Sequence, residues 1–388
     1  MIANYALSPE QQEILEGVRA FGEKHFTHEN IKQWRKDQSL PNNVVKEFLD
    51  MDFGLIEFVT GESHLRQSLF TVSLIMEELS RSAGATIPFS ADLLDMHVLS
   101  HFAAPEHFER IAEEYRRTGR LGFSFAVSEP HAGSNTANMS TVVRSVDGEL
   151  VLDGHKTFVN NGEFTPLILV IALDGDVEGD DGAKPLAALL VPYDLEGVRT
   201  YPIEKRGQRL LPFSDVLFDG VKLPSWCKLS EGGFTRRDLN GFFRWGRVIT
   251  CASSVGMAQA ALEDAVAYAF EREAFGEKIA TFQQIQEMLA EMEIKVRTMR
   301  HMLYQAAFEI DEGSEDARLS TALAKRYIPR TAVEVASDAM QIFGARGYSE
   351  KERVYGIWED CRGVQIMEGT DQIMVNIAAP LLKKKYLS

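Results

Sequence analysis

The sequence predicts an α+β protein with helices at both ends of the chain and strands in the middle. Three patterns along the 388 residues carry this prediction. Apolar residues recur at helical spacing in the first third, short alternating or continuous apolar runs follow, and long alanine-rich helical patterns then return. We expect an N-terminal α-helical domain over 1–120, a middle β-domain over 121–228 and a C-terminal helical domain over 229–388. The β-domain should form a small antiparallel barrel or sandwich, and the last helices a bundle.

The N-terminal helices are predicted from a cap and from apolar spacing. Ser8 can cap the first helix, since Pro9 suits its first turn and Gln11 stands where its side chain can close a capping box. The buried face of this helix is expected to carry Ile14, Leu15, Val18 and Phe21. Further helical patterns cover residues 44–51, 69–80 and 106–118.

The β-domain is predicted from short apolar runs separated by turn residues. Asp147-Gly148 is a strong signal for a two-residue hairpin turn. After a first alternating run near residues 123–127, the expected strands are 141–146, 149–152, 156–159, 167–173, 186–191, 198–202 and 216–223.

Long helical patterns fill the rest of the chain. One is predicted over residues 247–272 and another over 317–344. Between them, Thr281 is expected to cap a helix that continues towards Ala307, with Gln284 at the third position of the capping box.

Composition restricts the partners and the compartment. The net charge of −16 argues against general binding to nucleic acid or to anionic membranes. Cys227, Cys251 and Cys361 are widely spaced, so neither a zinc site nor a disulfide framework is expected. No apolar run approaches the ~20 residues of a membrane span, and the N-terminus lacks a signal-peptide pattern. We therefore expect a cytoplasmic protein with no integral membrane segment and no bound metal.

The chain lacks several common site motifs. There is no P-loop, HExxH or GxSxG, and Gly344-Ala345-Arg346-Gly347 follows a helix and lacks dinucleotide-binding spacing. The acidic run 174–181 invites a calcium-loop interpretation, but the twelfth loop position is Pro185 where a glutamate is needed. A solvated acidic loop is the better interpretation.

The candidate catalytic group is Glu368 in the stretch Ile366-Met367-Glu368-Gly369-Thr370. An apolar frame removes water from a carboxylate, which raises its pKa towards the range of a general base. Gly369 allows a ligand to approach the backbone closely. The same pattern also fits a glutamate at a helix end followed by a glycine C-cap.

Three polar loops are candidate ligand contacts. Residues 127–135 and 156–162 each leave a strand and supply hydroxyls or amides that suit a phosphate or a polar ring edge. Residues 272–283 place an arginine, an aromatic ring and a glutamine between two helices. Each loop taken alone is equally compatible with an ordinary connection.

Taken together, these segments resemble the acyl-CoA dehydrogenase family over nearly the whole chain. Residues 127–135 are similar to its Thr-Glu-Pro-x-Ala-Gly-Ser-Asp signature, and 156–162 to its Lys-x-Trp-Ile-Thr-Asn-Gly strand. Residues 272–283 resemble its Arg-x-x-Phe-Gly…Gln loop, and 367–372 its catalytic Glu-Gly-Thr-x-Gln. Residues 205–209 and 219–224 look like its late β-domain. The resemblance implies an α-helical domain, a β-barrel domain and a four-helix bundle, assembled as a homotetramer or homodimer.

The resemblance also implies a reaction. Glu368 would remove the α-proton of an acyl-CoA thioester, its backbone N–H would polarise the thioester carbonyl, and the β-hydride would go to N5 of FAD. Electrons would then pass to electron-transfer flavoprotein. Arg247 matches an arginine near the base in the family and is expected to tune the electrostatics of Glu368. Some family branches place the base just before this arginine; here that position is Gly246.

The resemblance assigns a set of FAD contacts, of which Arg272 and Phe275 would come from a neighbouring subunit. The expected cofactor-binding residues are Phe125, Val127, Ser128, Ser134, Phe158, Asn160, Arg272, Phe275, Gln283, Gln341, Thr370 and Gln372. Several positions depart from the family pattern. Ser128 and Asn160 each replace a threonine, Asn135 an aspartate and Phe158 a tryptophan, and Ala345-Arg346 interrupt a glycine pair.

Other functions are compatible with the same residues. An enoyl-CoA reductase would run the step in reverse, and the smaller Phe158 ring is compatible with a flavin oxidase or monooxygenase that uses O₂. A non-catalytic acyl-CoA-binding protein is the third alternative. The retained Glu368 argues against it, because an unpaired buried carboxylate is costly unless it is used. The acyl chain is not indicated by any residue.

Overall fold

The computed structural model of the chain describes residues 7–51, 53, 67–118, 123–162, 165–177, 185–229 and 233–387. Helices come first, a β-sheet follows and helices return, which confirms the predicted α+β order. The expected boundary between residues 120 and 121 lies outside the described residues, as do residues 178–181 of the acidic run. The three domain ranges therefore stay predictions.

The predicted start of the first helix is confirmed. The Ser8 hydroxyl accepts a hydrogen bond from the Gln11 N–H at 3.2 Å, and the Gln11 side chain accepts one from the Ser8 N–H at 3.0 Å. A further helix, α5, has no counterpart in the sequence prediction, because most of its described residues are buried and no polar face marks the helical period. The N-terminal helices are α1 Pro9–His25, α2 His28–Asp37, α3 Asn42–Asp50, α4 Leu69–Ala83, α5 Phe89–Phe102 and α6 Pro105–Thr118.

The middle of the chain forms one seven-stranded sheet. Its order is β1-β4-β2-β3-β7-β6, with β5 paired to β4. The strands are β1 Phe123–Ala126, β2 Val142–Val146, β3 Glu149–Asn160, β4 Leu167–Asp174, β5 Leu186–Pro192, β6 Val198–Ile203 and β7 Phe213–Leu223. The hairpin between β2 and β3 is confirmed, with Asp147 and Gly148 at φ values of 51° and 83°.

Two expectations about the sheet are wrong. The sheet is mixed, because β1 and β2 both pair with β4 in parallel. β1 and β2 therefore run in the same direction, and the long connection between them returns the chain to the end of the sheet at which β1 began. The two segments expected at 149–152 and 156–159 are one strand, β3, whose register against β7 shifts near Gly154 and again between Lys156 and Val159.

Two of the C-terminal helices start at other residues than predicted, whereas α9 starts at Ala317 as expected. α7 begins at Arg236 and not at Arg247, because Thr235 caps it in a capping box with Asp238. The C-terminal helices are α7 Arg236–Glu271, α8 Gln283–Asp311, α9 Ala317–Phe343, α10 Arg353–Ile366 and α11 Asp371–Leu387.

Thr281 does not cap α8. That helix begins at Gln283, after Phe282, without a side-chain cap. The Thr281 hydroxyl instead donates to the Glu277 carboxylate and the Lys278 carbonyl, within a short loop that contains the two-residue strands β8 Glu273–Ala274 and β9 Glu277–Lys278.

The helices share one hydrophobic core. It joins the N-terminal helices, α7 to α10 and one face of the sheet, with α7 at its centre against α4, α5, α8, α9 and α10. The other face of the sheet builds a second core from side chains of six strands, from Ala126 to Leu223, so the sheet must curl around it. Within the described chain, no helix is both long enough and apolar enough to cross a membrane.

Candidate active site

The Glu368 segment is a strained turn between α10 and α11. α10 ends at Ile366 and Met367 is extended, whereas Glu368 and Gly369 are both left-handed, with φ values of 54° and 97°. A left-handed glutamate is costly, so surrounding contacts must hold it. A simple glycine C-cap does not describe this turn, because the left-handed conformation begins at Glu368 itself.

Two buried cations hold this turn by its backbone carbonyls. Arg247 Nε donates to the Glu368 carbonyl oxygen at 3.0 Å. Lys325 Nζ donates to the carbonyl oxygens of Val364 at 2.9 Å and of Gly369 at 3.2 Å. Because α7 and α9 supply the two cations, the turn is fixed by the central helices of the bundle.

The Glu368 side chain points against α7. Its Oε2 is buried without a hydrogen-bond partner among the described residues. A Cβ built on Gly246 would lie 3.0 Å from this oxygen. Burial raises the pKa of Glu368, although Arg247 and Lys325 act in the opposite direction. Positions 246 and 368, at which the resemblance leads us to expect a base, therefore meet at one point.

A cleft of about 890 Å³ opens beside this part of α7. It is lined by α5, by the first turns of α7 and by the connection between α8 and α9, including His97, Trp245 and Arg244. The His97 ring stacks on Trp245 with centroids 4.5 Å apart. Trp245 precedes Gly246 on α7, so the cleft lining ends one residue before the glycine that faces the Glu368 carboxylate.

A buried ion pair ties together the two polar loops of the β-domain. Lys156 Nζ donates to Glu129 Oε1 and to the Val127 carbonyl oxygen, both at 2.9 Å. Glu129 also accepts the N–H groups of Ser140 and Thr141 at 2.7 and 2.9 Å. Burial opposes ionisation of Glu129, but the Lys156 contact and these bonds lower its pKa to about 2. The two residues therefore serve to fix loops 127–135 and 156–162 side by side.

Three family models match the chain in order. They are described as the N-terminal, middle and C-terminal domains of acyl-CoA dehydrogenase, and they match residues 8–135, 124–221 and 233–382. The probable acyl-CoA dehydrogenase YdiO of Escherichia coli K12 is 30% identical over 383 residues, which is 99% of each chain. The chain belongs to the acyl-CoA dehydrogenase family.

Solved structures of acyl-CoA dehydrogenases have the same fold. The acyl-CoA dehydrogenase of Slackia heliotrinireducens is 45% identical, with a TM-score of 0.88 and 99% of both chains covered. The butyryl-CoA dehydrogenase of Megasphaera elsdenii is 26% identical, with a TM-score of 0.86 over 98% of this chain and 99% of that one. Members of this family are FAD-dependent oxidoreductases that act on the CH–CH bond of acyl-CoA.

In this acyl-CoA dehydrogenase, the predicted flavin contacts of the β-domain lie on neighbouring segments. The Ser128 carbonyl oxygen accepts the Thr157 N–H at 2.9 Å, which places loop 127–135 beside Phe158 and Asn160. Phe158 is 60% exposed and left-handed, with a φ of 54°. Asn160 Oδ1 is buried without a partner in the described chain. An exposed ring beside an unused amide oxygen fits a planar ligand with a polar edge.

Aromatic contacts connect this region to the base. Phe125 lies 6.5 Å from Phe243, measured between ring centroids. The Arg247 guanidinium lies 5.8 Å from the same Phe243 ring, and Arg247 bonds the Glu368 carbonyl. The structure therefore brings Phe125, Arg247 and Glu368 into one site. Val127 is buried in the hydrophobic core that the helices share with one face of the sheet, whereas Ser134 is exposed further along the 127–135 loop.

A second group of predicted FAD residues lies elsewhere. Arg272, Phe275, Gln283 and Gln341 are all exposed, and no hydrogen bond or ring contact within the described chain joins them to the Glu368 turn. Phe275 is 97% exposed at the tip of the loop between β8 and β9. Its one ring partner among the described residues is Phe282, whose centroid is 6.2 Å away.

The last two predicted contacts follow the base. The Thr370 hydroxyl oxygen lies 3.4 Å from the Ile373 N–H at the start of α11, and Gln372 is exposed on that helix. Sequence reasoning overlooked Lys325, which is fully buried on the apolar face of α9. The signal was available, since Lys325 stands at helical spacing between Thr321 and Ile328, both buried.

Proposed function

We propose that the chain is an FAD-dependent acyl-CoA dehydrogenase in which Glu368 removes the α-proton of the acyl thioester. The observation that carries the proposal is the Glu368 carboxylate: its Oε2 is buried, lacks a partner in the described chain and lies against Gly246, the residue after the cleft residue Trp245. A carboxylate held with a raised pKa and no hydrogen bond is suited to accept a proton from a substrate carbon.

Removal of an α-proton also needs a donor for the carbonyl oxygen of the thioester. The Glu368 N–H has no acceptor within the described chain, so it is free to donate to that oxygen. The left-handed turn lets one residue present both its N–H and its carboxylate to a ligand. Arg247 and Lys325 fix the turn from behind, so both groups are held in place before substrate arrives.

FAD would be held by the Phe158 and Asn160 region of the β-domain together with Phe125 and Val127. When bound, it would supply the two-electron acceptor for the β-hydride. Exposed Arg272, Phe275 and Gln283 suit contacts to a cofactor bound in a second copy of the chain, so we also propose a homotetramer or homodimer. Electron-transfer flavoprotein is the proposed acceptor of the electrons.

The entrance to the cleft suits the phosphates of coenzyme A. Arg237 and Arg244 line the cleft, and no ion pair joins either of them, or the nearby Arg318, to an acid in the described chain. Burial and the charges of Arg318 and Arg237 lower the pKa of Arg244. Crowded, unpaired arginines in a protein with a net charge of −16 favour a polyanionic ligand.

The decisive experiment separates proton removal from dehydrogenation. In D₂O, a 3-thia-acyl-CoA offers an acidic α-proton but no β-hydrogen, so exchange at its α-carbon reports the base alone. We expect the rate of α-carbon exchange to be at least about a thousandfold lower in Glu368→Gln, which should keep its fold and its bound FAD. Glu291→Gln makes the same charge change on an exposed face of α8 and should exchange normally.

Two further outcomes test the proposal. Exchange in Glu368→Gln at the rate of the unsubstituted protein would refute the assignment of the base. Anaerobic mixing with a panel of saturated acyl-CoA thioesters should bleach the flavin. If no thioester bleaches it, but O₂ is consumed with another substrate, the oxidase function replaces the dehydrogenase.

The arginine site can be tested through the substrate itself. Replacing Arg237, Arg244 and Arg318 together by Gln should raise KM for acyl-CoA by about tenfold or more, because charge-assisted phosphate contacts are lost. KM for the matching acyl-pantetheine, which lacks the adenosine phosphates, should change little. Arg330→Gln, on the exposed face of α9, is the control. Equal losses with both substrates would contradict the assignment.

A further inference from the structure

Asp95 is a buried acid to which the described chain gives no partner. It lies on α5 with 0% of its surface exposed, and neither Oδ1 nor Oδ2 has a hydrogen bond within the described chain. Two other buried acids, Glu77 and Asp360, have several partners each. Glu77 bonds Arg300 and Tyr304, and Asp360 bonds an arginine and two backbone N–H groups. Because an unpartnered buried carboxyl is costly, Asp95 is expected to meet a group that the chain itself does not supply.

The surroundings of Asp95 place it beside the proposed acyl site. Leu94, the preceding residue, reaches within 3.1 Å of the Cβ position on Gly246, and the Glu368 carboxylate reaches within 3.0 Å of the same point. Asp92, one helical turn before, accepts the Phe123 N–H at 3.0 Å, where α5 meets the sheet. α5 thus presents Asp95 between the β-domain and the base.

The charges around Asp95 are negative. Burial and the charges of Asp92 and Glu368 raise the pKa of Asp95 well above its ordinary range. Among the described residues, no basic group acts on it. The two cations of the site, Arg247 and Lys325, act on Glu368 and donate to backbone carbonyls. The carboxyls of Asp92, Asp95 and Glu368 therefore lie in one region with two cations, Arg247 and Lys325. A positive charge on the ligand would make the numbers of positive and negative charges equal when all three carboxyls are ionised.

We propose that Asp95 binds a positively charged nitrogen carried by the acyl group of the substrate. This inference rests on the proposed function and names the class of acyl chain that the site takes. A plain hydrocarbon chain would leave both oxygens of Asp95 unpartnered, whereas an ammonium or quaternary ammonium group would pair with the carboxylate after its proton is released. The cationic end then anchors the acyl chain while the thioester end meets Glu368.

The test compares two acyl-CoA probes of the same shape. One ends in a trimethylammonium group and the other in a tert-butyl group, with equal numbers of carbons between the thioester and the branch. A series of such pairs with different spacers is titrated by calorimetry into the FAD-loaded protein without an electron acceptor. At the best spacer, we expect the cationic probe to bind at least about tenfold more tightly than its neutral isostere.

Asp95→Asn keeps the size of the side chain and removes its charge. We expect this variant to lose the preference for the cationic probe while its affinity for the neutral isostere changes less than about threefold. Unchanged affinity for the isostere also reports that the variant has folded. Glu291→Gln, an exposed acid on α8, should keep the preference.

Three outcomes would overturn the inference and leave the proposed function standing. One is equal affinity for both probes at every spacer, and another is a preference that survives in Asp95→Asn. The third is tighter binding of a hydroxyl-ended probe than of the cationic one. By contrast, if no acyl-CoA binds and none undergoes α-exchange, the proposed function fails and the inference fails with it.

Discussion

Glu368 owes its position to a backbone conformation that its own side chain disfavours. The left-handed turn at Glu368 and Gly369 is held by carbonyl bonds to Arg247 and Lys325, so the strain at the base is balanced by the helices around it. A glycine after a glutamate predicts a helix end equally well. The sequence therefore indicated which residue is the candidate base, but not that the turn begins one residue earlier.

Gly369→Ala tests whether the turn sets activity. At a φ of 97°, a Cβ is strained and would lie 2.5 Å from Met374 Cε, so we expect a loss of about 1–3 kcal/mol in unfolding free energy and at least about tenfold in kcat/KM. Gly148→Ala is the matched control, since its φ of 83° carries similar strain with nothing within 4 Å. Equal activity in the two variants would show that the turn tolerates movement. Urea unfolding and steady-state kinetics measure both effects.

The ionisation of Glu129 makes the stability of the folded protein depend on pH in the acidic range. Its pKa is about 2 in the folded protein against an ordinary value of 4.5, so the folded state binds fewer protons than the unfolded state in this range. The stabilisation is therefore complete above about pH 4.5 and is lost as the pH falls to about 2. Glu129→Gln lacks this contribution and leaves Lys156 unpaired in a buried site.

The expected readout is the difference in urea midpoint between Glu129→Gln and the unsubstituted protein. It should be largest near neutral pH and shrink as the pH falls below about 4.5. Glu149→Gln removes an exposed acid of the same sheet and should show no such trend. A constant difference at every pH would contradict the role of the ion pair.

At the scale of elements, how much the sequence predicted depends on whether one face of an element meets water. α1 and α9 carry an apolar stripe; the start and buried face of α1 and the extent of α9 agree with the predictions. Most of the described residues of α5 are buried, so its apolar residues show little helical periodicity. The sequence therefore did not single out Asp95, which lies on this helix.

The residues of the site that were predicted differ from those that were not in whether a local sequence motif identifies them. Glu368, Arg247 and Phe125 were predicted and lie together, because each belongs to a local motif. Lys325 and Asp95 belong to no local motif; helical spacing could have indicated that Lys325 is buried, but only tertiary packing brings these two residues near Glu368. Arg272 and Phe275 remain predictions, since their proposed ligand would be bound in a second copy of the chain.

The contact between α4 and α7 depends on Gly256. A Cβ at this position would lie 2.1 Å from the Glu77 carbonyl oxygen and 2.9 Å from the Arg81 backbone nitrogen. Both are backbone atoms, so no side-chain rotation can relieve the overlap. Gly256→Ala must therefore push the two helices apart, at a cost of about 3 kcal/mol in unfolding free energy.

A second glycine on the same helix provides the control. Gly241→Ala would meet only Arg244 Nη2, at 3.9 Å, and should stabilise α7 by about 0.5–1 kcal/mol, because alanine is the better helix former. Thermal unfolding of the two variants should thus move in opposite directions. A shift of the same sign in both would show that helix propensity, and not the contact with α4, controls the outcome.

At the scale of the whole molecule, buried charges hold separate segments together. Arg300 on α8 donates to Glu77 on α4 at 2.7 Å and to Gln259 on α7 at 2.8 Å. Asp360 on α10 does the same for more distant parts of the chain, because it accepts from Arg35 on α2 and from the N–H of Thr86 before α5. These contacts fix the N-terminal helices on the C-terminal bundle.

Asp360 also reaches the β-domain and, through it, the base. Its Oδ1 accepts the Gln208 N–H at 2.6 Å, and the Gln208 side chain lies 3.1 Å from the sulfur of Met367, next to Glu368. One buried carboxylate therefore joins all three predicted domains at a point two contacts from the catalytic turn. A change at Asp360 should consequently lower both stability and activity, although it touches no substrate.

Asp360→Asn tests this coupling. We expect a loss of about 3 kcal/mol in unfolding free energy, because Arg35 keeps Glu359, at 3.3 Å, as its one acidic partner in the described chain and two backbone donors lose a charged acceptor. Asp316→Asn breaks the exposed pair with Lys385 and should cost less than about 1 kcal/mol. At a temperature where Asp360→Asn is fully folded, its kcat/KM should still be lowered, since Gln208 no longer holds Met367 in place. Normal kinetics in the folded variant would mean that Asp360 supports the assembly of the domains without positioning the turn that carries Glu368.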